Sequence, residues 1–309
     1  MTYDVVIVGA SAAGLSAALI LTRSLRRVAV IDAGEPRNAP AQHVHGFISR
    51  DGVSPDALLD AGRAEVLGYG GNIIRDRVQT VDTTANGFRV RCDTGDFETR
   101  AVLIATGLRD ELPRIPGIAE QWGTDVLHCP YCHGYEVRDT PIGMIGGDNR
   151  PFSVHQAALL RQWSEDVVFF PHTIELTADE RRRISSRARI VDGRVRRIVA
   201  EDGRVRAVVL ENGDTVARSV VFIGPRFIPR DELLTGLGCD TGSEGWVSVD
   251  PTGRTSVPGV WAAGNVVDSP AQLVNAAAAG SKAGISLNHY LVELDIHQPN
   301  GSGSTPGNH

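Results

Sequence analysis

Two glycine-bearing junctions between a predicted strand and a predicted helix constrain this chain more than any other feature. At the first junction, a strand over Tyr3–Val8 enters the turn Gly9–Gly14, a helix follows, and a second strand ends at Asp32. At the second junction, Pro141–Gly147 again precedes a helical stretch. A turn of this kind lets a helix N-terminus face a pyrophosphate. The sequence therefore predicts an α/β protein with two Rossmann-like nucleotide domains.

The first junction has the residues that a dinucleotide site needs. Gly9 and Gly14 suit a tight turn with close helix packing, and Asp32 ends the second strand, where a carboxylate can bind a ribose hydroxyl. The small residues between the two glycines are Ser11, which replaces the usual middle glycine, Ala12 and Ala13. An ordinary βα turn is the alternative interpretation, but the agreement of strand, helix, second strand and acid favours a dinucleotide site.

Composition excludes several classes of function. The chain has 309 residues, is 42% hydrophobic and has a formal net charge of −6, which disfavours nucleic acid or an anionic membrane as its partner. No apolar stretch reaches the roughly 18 residues of a membrane span, and the N-terminus reads as a strand rather than a signal peptide. Four cysteines in a chain of this length do not make a disulfide scaffold, so we expect a cytoplasmic protein.

Two of those cysteines, Cys129 and Cys132, enclose Pro130 and Tyr131. Thiols at this spacing can close a small disulfide ring and reopen it by exchange, and Pro130 at a first helical position would place Cys129 at a helix N-cap. A zinc half-site would need two more ligands, whereas Cys92 and Cys239 stand alone, so no metal site is predicted. A buried, inert pair of thiols is the other alternative. The spacing favours a redox pair.

Taken together, these motifs resemble the low-molecular-weight thioredoxin reductase family. The resemblance runs from about Tyr3 to Leu291 and rests on Gly9–Gly14, Ala105–Gly107, the Cys-x-x-Cys pair before the second nucleotide turn, and Gly259–Asp268. It implies a discontinuous FAD domain over residues 1–112 and 227–297, with an inserted NAD(P)-binding-like domain over 113–226 that carries the redox pair. The Gly/Ser/Pro/Asn-rich tail, residues 298–309, is predicted to be disordered.

The resemblance also implies cofactor and catalytic roles. Cys132 would face the flavin, and Cys129 would exchange with the substrate. A homodimer is expected. The FAD-binding residues would be Gly9, Ser11, Ala12, Ala13, Gly14, Asp32, Ala105, Thr106, Gly107, Gly264, Asn265 and Gln272.

Several residues depart from the reductase pattern. His133 stands where the reductases usually carry aspartate, and a histidine can act as a base near neutral pH; a hydrogen-bonded structural histidine is the alternative. Asn265 replaces the usual aspartate of the last FAD motif, but its amide could still bind FAD. The second glycine turn is the one that would bind the nicotinamide cofactor. There Asp148 would repel a pyrophosphate and Pro151 would disturb the helix start, although Arg150 could offset part of the repulsion.

The basic motif that binds the ribose phosphate of NADPH in the reductases is also missing. Arg181–Arg183 could replace it only if the chain folds back. These departures count against NADPH as a cofactor. They are more similar to the dithiol oxidases of gliotoxin, holomycin and related biosynthesis, which pass electrons from a small-molecule dithiol to oxygen. The alternatives are an NADPH-dependent reductase of a thioredoxin-like protein and a non-catalytic flavin-binding sensor. His43 and His45 are candidates for substrate contact near the flavin, or surface loop histidines.

Overall fold

The computed structural model describes residues 2–297; the tail predicted to be disordered lies outside these residues. In chain order the first elements are β1 (Thr2–Val8), α1 (Ala12–Arg23), β2 (Val28–Asp32), α2 (Pro55–Gly68), β3 (Asn72–Arg75), β4 (Val78–Thr84), β5 (Gly87–Cys92), β6 (Asp96–Ile104), β7 (Leu108–Glu111), β8 (Val126–Leu127), α3 (Pro130–His133), β9 (Ile142–Ile145) and α4 (Arg150–Leu159). The remaining elements are β10 (Val167–Phe170), α5 (Ala178–Ser185), β11 (Arg189–Ile190), β12 (Val195–Glu201), β13 (Arg204–Leu210), β14 (Thr215–Ala217), β15 (Val220–Ile223), β16 (Arg226–Pro229), α6 (Glu232–Gly236), β17 (Val260–Ala262) and α7 (Leu273–His297).

The described chain divides into two compact units. Unit 1 comprises residues up to Pro36, Asp56–Leu108 and the described residues from Pro229 onward, and unit 2 comprises Arg37–Pro55 and Arg109–Ile228. Residues 37–55 therefore pack with the second unit, whereas the sequence analysis assigned them to the first domain. The assignment of an FAD-binding domain and an inserted NAD(P)-binding-like domain stays a prediction.

Unit 1 is built on a seven-stranded sheet in the order β3-β2-β1-β6-β5-β4, with β17 also paired to β6. The strands β3, β2, β1, β6 and β17 run parallel, whereas β5 and β4 are antiparallel. On one face the helices α1 and α7 pack over a core that includes Val5, Ile7 and Leu287. Because an added Cβ at Gly280 would overlap the carbonyl oxygen of Ala13, glycine lets the two helix backbones approach closely.

Unit 2 has three layers. Its central sheet is parallel, in the order β11-β10-β9-β15-β8. The antiparallel sheet β12-β13-β14 covers one face, where Val208 packs with Ile145, and α4 and α5 cover the other, where Ala157 packs with Phe169. These arrangements confirm the predicted α/β fold, with the ββα layering of a Rossmann-like domain.

Asp125 joins the two sheets of unit 2. It is buried, and one oxygen of its carboxylate accepts hydrogen bonds from the backbone N–H of Val205 at 2.9 Å and from Nε of Arg204 at 2.8 Å. Its own carbonyl accepts from the N–H of Val221 in the central sheet at 2.8 Å. The buried carboxylate is thus satisfied by two residues of the antiparallel sheet, and the backbone carbonyl of the same residue bonds the central sheet.

We therefore expect Asp125→Ala to lower the free energy of unfolding by about 1–3 kcal/mol, because it leaves the Val205 N–H buried without this acceptor. Urea denaturation followed by circular dichroism measures the change. The matched control is Asp192→Ala, which breaks the exposed pair with Arg181 and should give a change too small to resolve. Equal losses in the two variants would contradict this role for Asp125.

Candidate active site

The redox cysteines lie at the start of a one-turn helix in unit 2. Cys129 is the N-cap of α3, with Pro130 at the first helical position, as the sequence predicted. Cys129 and Cys132 form a disulfide with their Cα atoms 5.3 Å apart, and the Cys129 carbonyl accepts a hydrogen bond from the N–H of Cys132 at 3.2 Å. The local backbone thus brings the two sulfur atoms within bonding reach.

The two cysteines differ in their exposure. Cys129 is buried, with 7% of its surface accessible, whereas Cys132 is half-buried. Beside them Tyr131 is exposed, and its ring meets Trp163 edge-on with centroids 5.8 Å apart. The separate roles of the two sulfur atoms stay predictions.

His133 ends α3 and is half-buried. Burial is the main cause that lowers the pKa of His133; the carboxylate of Glu136 acts in the opposite direction, and His45 adds to the lowering. A lowered pKa keeps an imidazole neutral at physiological pH, which is the form that accepts a proton. The residue therefore has the protonation state that a base needs.

On the other side of the cysteines, His128 sits in a cluster of aromatic and charged groups that the sequence analysis missed. Its ring stacks on Trp122 at 5.6 Å between centroids, and its Nε2 lies 3.4 Å from Nη2 of Arg37. Arg37 donates to both carboxylate oxygens of Asp110, at 2.8 and 2.7 Å, and lies over the ring of Phe227. The only hint in the sequence was the position of His128 beside Cys129, because its partners are far away along the chain.

Residues 37–55 supply further groups to this unit. His45, proposed from the sequence to contact substrate near the flavin, has its Nε2 3.4 Å from Oε1 of Glu136 in unit 2. His43 is exposed, and its Nδ1 lies 3.1 Å from the carbonyl oxygen of Gly52. The structure thus places His45, but not His43, in contact with the turn that follows the redox helix.

The residues predicted to bind a dinucleotide come together within unit 1. An added Cβ on Gly9, whose φ is +104°, would overlap the carbonyl oxygen of Ala105, and one on Gly14 would overlap the carbonyl oxygen of Gly9. The N–H of Ala10 donates to Oδ1 of Asp32 at 3.2 Å. Ser11, the N-cap of α1, makes no side-chain capping bond to the first turn.

The other predicted cofactor residues border the same turn or lie farther along unit 1. Gly264 packs against Ala13, where an added Cβ would come within 3.0 Å of the Ala13 Cβ. The hydroxyl of Thr106 donates to the carbonyl of Arg230. Gly107 has φ +71° and Gln272 directly precedes α7.

Asn265 has a backbone role that the sequence did not reveal. Its Nδ2 donates to the carbonyl oxygens of Asp268 at 2.9 Å, Ser269 at 3.3 Å and Ala271 at 3.0 Å. An aspartate could only accept, so it could not hold these carbonyls. The asparagine at position 265 is therefore explained by the hydrogen bonds that it donates to the loop before α7.

Two kinds of site find no support within residues 2–297. Their histidine, cysteine and carboxylate side chains include no group of three or more that could hold a metal ion. None of the helices described combines the length and the apolar character that crossing a lipid bilayer requires.

Comparison with known proteins decides the family. Residues 3–280 match the family model described as pyridine nucleotide-disulphide oxidoreductase. The chain belongs to this family. It is an enzyme of the thioredoxin reductase-like type, and the resemblance drawn from its motifs is confirmed.

Relatives of similar length support this assignment. Thioredoxin reductase sirT of Leptosphaeria maculans is 29% identical, over 95% of this chain and 96% of its own, and thioredoxin reductase tcpT of Claviceps purpurea is 31% identical, over 94% and 95%. The crystal structure of HlmI matches with a TM-score of 0.92 and 54% identity, over 96% of this chain and 95% of that one. A putative thioredoxin reductase TrxB from Bacillus anthracis matches with a TM-score of 0.89 and 31% identity, over 94% and 99%.

The environment of His128 predicts how the free energy of unfolding depends on pH. Burial first, and the charge of Arg37 second, lower its pKa to about 4. Because the unfolded chain binds this proton near pH 6.5, the native state loses stability as the pH falls from 6.5 towards 4.

Between pH 7 and pH 5 we expect the wild type to lose about 2 kcal/mol of unfolding free energy from this residue, and His128→Phe to lack that loss. Denaturation curves at the two pH values give the difference. The exposed His43 provides the control, since His43→Gln should keep the wild-type pH dependence. A His128→Phe curve as steep in pH as the wild type would refute the assignment.

Proposed function

We propose that this protein is an FAD-dependent dithiol oxidase, which converts a small-molecule dithiol to a disulfide through Cys129 and Cys132 and passes the electrons to oxygen. The observation that carries the proposal is the contrast between the two nucleotide-type turns. The turn of unit 1 suits a dinucleotide, whereas the turn of unit 2 does not suit NADPH. The redox pair and its base lie in unit 2.

The residues of unit 1 fit FAD. The close backbone approach of Gly9 to Ala105 leaves no room for a side chain at position 9, and the first amides of α1 are not capped by the Ser11 side chain. Amides of this kind bind a pyrophosphate, and Asp32 can accept from a ribose hydroxyl. Bound FAD would supply the two-electron carrier that the chemistry requires.

The residues of unit 2 do not fit NADPH. Asp148 is exposed directly before α4, and Pro151 lies in the first turn of that helix. Arg150, which could have offset the charge of Asp148, binds Oε2 of Glu180 at 2.7 Å and so helps to lower the pKa of Glu180 to about 2. A phosphate at this helix would meet the carboxylate of Asp148, while Arg150 is already engaged by Glu180.

The candidate groups for the ribose phosphate are engaged as well. Arg181 forms a two-bond ion pair with Asp192, at 3.0 and 2.8 Å, and Arg182 pairs with Asp179. The Nδ1 of His172 accepts a hydrogen bond from the N–H of Val195 at 2.9 Å, and burial is the main cause that lowers its pKa. These pairs count against the possibility that Arg181–Arg183 replace the missing basic motif.

The residues of unit 2 account for the thiol chemistry. His133 takes a proton from the dithiol, and the resulting thiolate attacks the sulfur of Cys129. The second substrate thiol then breaks the mixed disulfide, which leaves the substrate as a disulfide and Cys129 and Cys132 as thiols. Two electrons and two protons pass on to oxygen, so that dithiol and oxygen become disulfide and hydrogen peroxide. A homodimer and a cytoplasmic location remain predictions from the sequence.

The names of the relatives favour a second candidate, the NADPH-dependent reduction of a thioredoxin-like protein. The two functions differ in the reductant that the enzyme accepts. The purified holoenzyme is mixed without oxygen either with dithiothreitol or with NADPH, and the flavin absorbance is followed.

We expect dithiothreitol to bleach the flavin and NADPH to leave it oxidised, with one hydrogen peroxide formed per dithiol once air is admitted. Cys132→Ser should abolish bleaching, and His133→Asn should slow it by about a hundredfold, since a positioned base contributes at least that factor. Rapid bleaching by NADPH alone would exclude the oxidase. Bleaching that is unchanged in Cys132→Ser would exclude any role of the redox pair.

The FAD site has its own test. Asp32→Ala removes the acceptor for a ribose hydroxyl and for the Ala10 N–H, so we expect FAD to bind about tenfold more weakly or worse. Titration of the apoprotein with FAD, followed by flavin fluorescence, measures the change. Glu98→Ala is the control, because it removes an exposed carboxylate of the same unit that pairs with Arg89 on the neighbouring strand β5. Unchanged FAD affinity in Asp32→Ala would place the nucleotide elsewhere.

A further inference from the structure

Segment 37–55 places an imidazole between two carboxylates beside the redox helix. Nδ1 of His45 lies 3.3 Å from Oδ2 of Asp51, and its Nε2 lies 3.4 Å from Oε1 of Glu136. The N–H of Gly46 donates to the other oxygen of Asp51 at 2.9 Å and so fixes that carboxylate. The His45 side chain is 21% exposed, less than Asp51 at 66% and Glu136 at 41%. The imidazole therefore has a carboxylate oxygen within 3.4 Å of each ring nitrogen.

His45 and Glu136 have opposite effects on the pKa of His133. Glu136 follows His133 by three residues, and its negative charge favours a proton on His133. A protonated His45 disfavours that proton. Other titratable groups near this site are Asp51, which pairs with His45, and His43, whose ring centroid lies 6.3 Å from that of His45. His128 has a pKa of about 4, which leaves it neutral in the working range.

We propose that His45 and Glu136 are an opposed pair of positioning residues that sets the protonation of His133, and with it the pH range in which the Cys129–Cys132 disulfide accepts electrons from a dithiol. The part concerning the dithiol rests on the proposed function. The electrostatic part does not, because it concerns the resting, oxidised protein.

The step that this pair controls is the first proton transfer. One dithiol loses two electrons and two protons as its sulfur–sulfur bond forms, and the Cys129–Cys132 bond breaks to take up both. His133 must be neutral to accept the first proton. When His45 is positively charged, His133 stays neutral down to a lower pH. With Glu136 as its only charged neighbour, His133 would stay protonated up to a higher pH.

The test compares three variants of the full-length holoenzyme. His45→Gln removes the charge and keeps a donor to Glu136, Glu136→Gln removes the opposite charge, and His43→Gln is the control on the same segment. The imidazole of His133 is titrated by NMR in protein labelled at histidine, with its resonance assigned by its loss in His133→Asn. The pH dependence of flavin bleaching by dithiothreitol is measured in parallel.

We expect His45→Gln to move the midpoint of His133 upward and Glu136→Gln to move it downward, each by about half a pH unit, as partly exposed charges do. The acid limb of the bleaching rate should move in the same directions, and His43→Gln should leave both unchanged. Shifts of the same sign in the two variants, no shift in either, or an equal shift in His43→Gln would overturn the proposal. If dithiothreitol fails to reduce the wild type, the proposed function fails, and the NMR titration still decides this inference.

Discussion

The guanidinium of Arg37 donates hydrogen bonds to both carboxylate oxygens of Asp110, and the organisation of the candidate site depends on this contact. Asp110 is 7% exposed and Arg37 20%, so the pair is largely withdrawn from water and its two parallel bonds fix a direction as well as a distance. The pair holds the start of segment 37–55 in unit 2. Its cation lowers the pKa of His128, and the segment it anchors carries His45 to Glu136.

In the sequence, the two cysteines are flanked by His128 and His133, whose charged neighbours differ. His128 is kept neutral by burial and by a neighbouring cation, beside the rings of Trp122 and Phe227. His133 is influenced by a carboxylate and an imidazole of opposite effect. Burial is the main cause that lowers both pKa values; Arg37 adds to the lowering at His128, whereas Glu136 opposes it at His133.

The two units show how one topology can carry different chemistry. Both place a turn and a helix after a parallel strand, both turns contain a glycine in close backbone approach, and neither helix has a side-chain N-cap bond. The two turns differ in their charged residues. In unit 2 the equivalent helix begins beside Asp148, and Arg150 binds Glu180. The fold therefore does not settle the electron source, and the proposal of an oxidase rests on the residues at the turn.

The sequence by itself determined the features that depend on neighbours along the chain: the strand–turn–helix at Gly9–Gly14 and the placement of Cys129 at a helix N-cap before Pro130. Local sterics and hydrogen bonds decide both, so their residue types predict them. Only the tertiary structure decided that segment 37–55 joins unit 2 and that the amide of Asn265 holds backbone carbonyls. It also decided which cations are already paired. Those outcomes depend on long-range burial and on the partners it provides, and residue spacing carries no record of them.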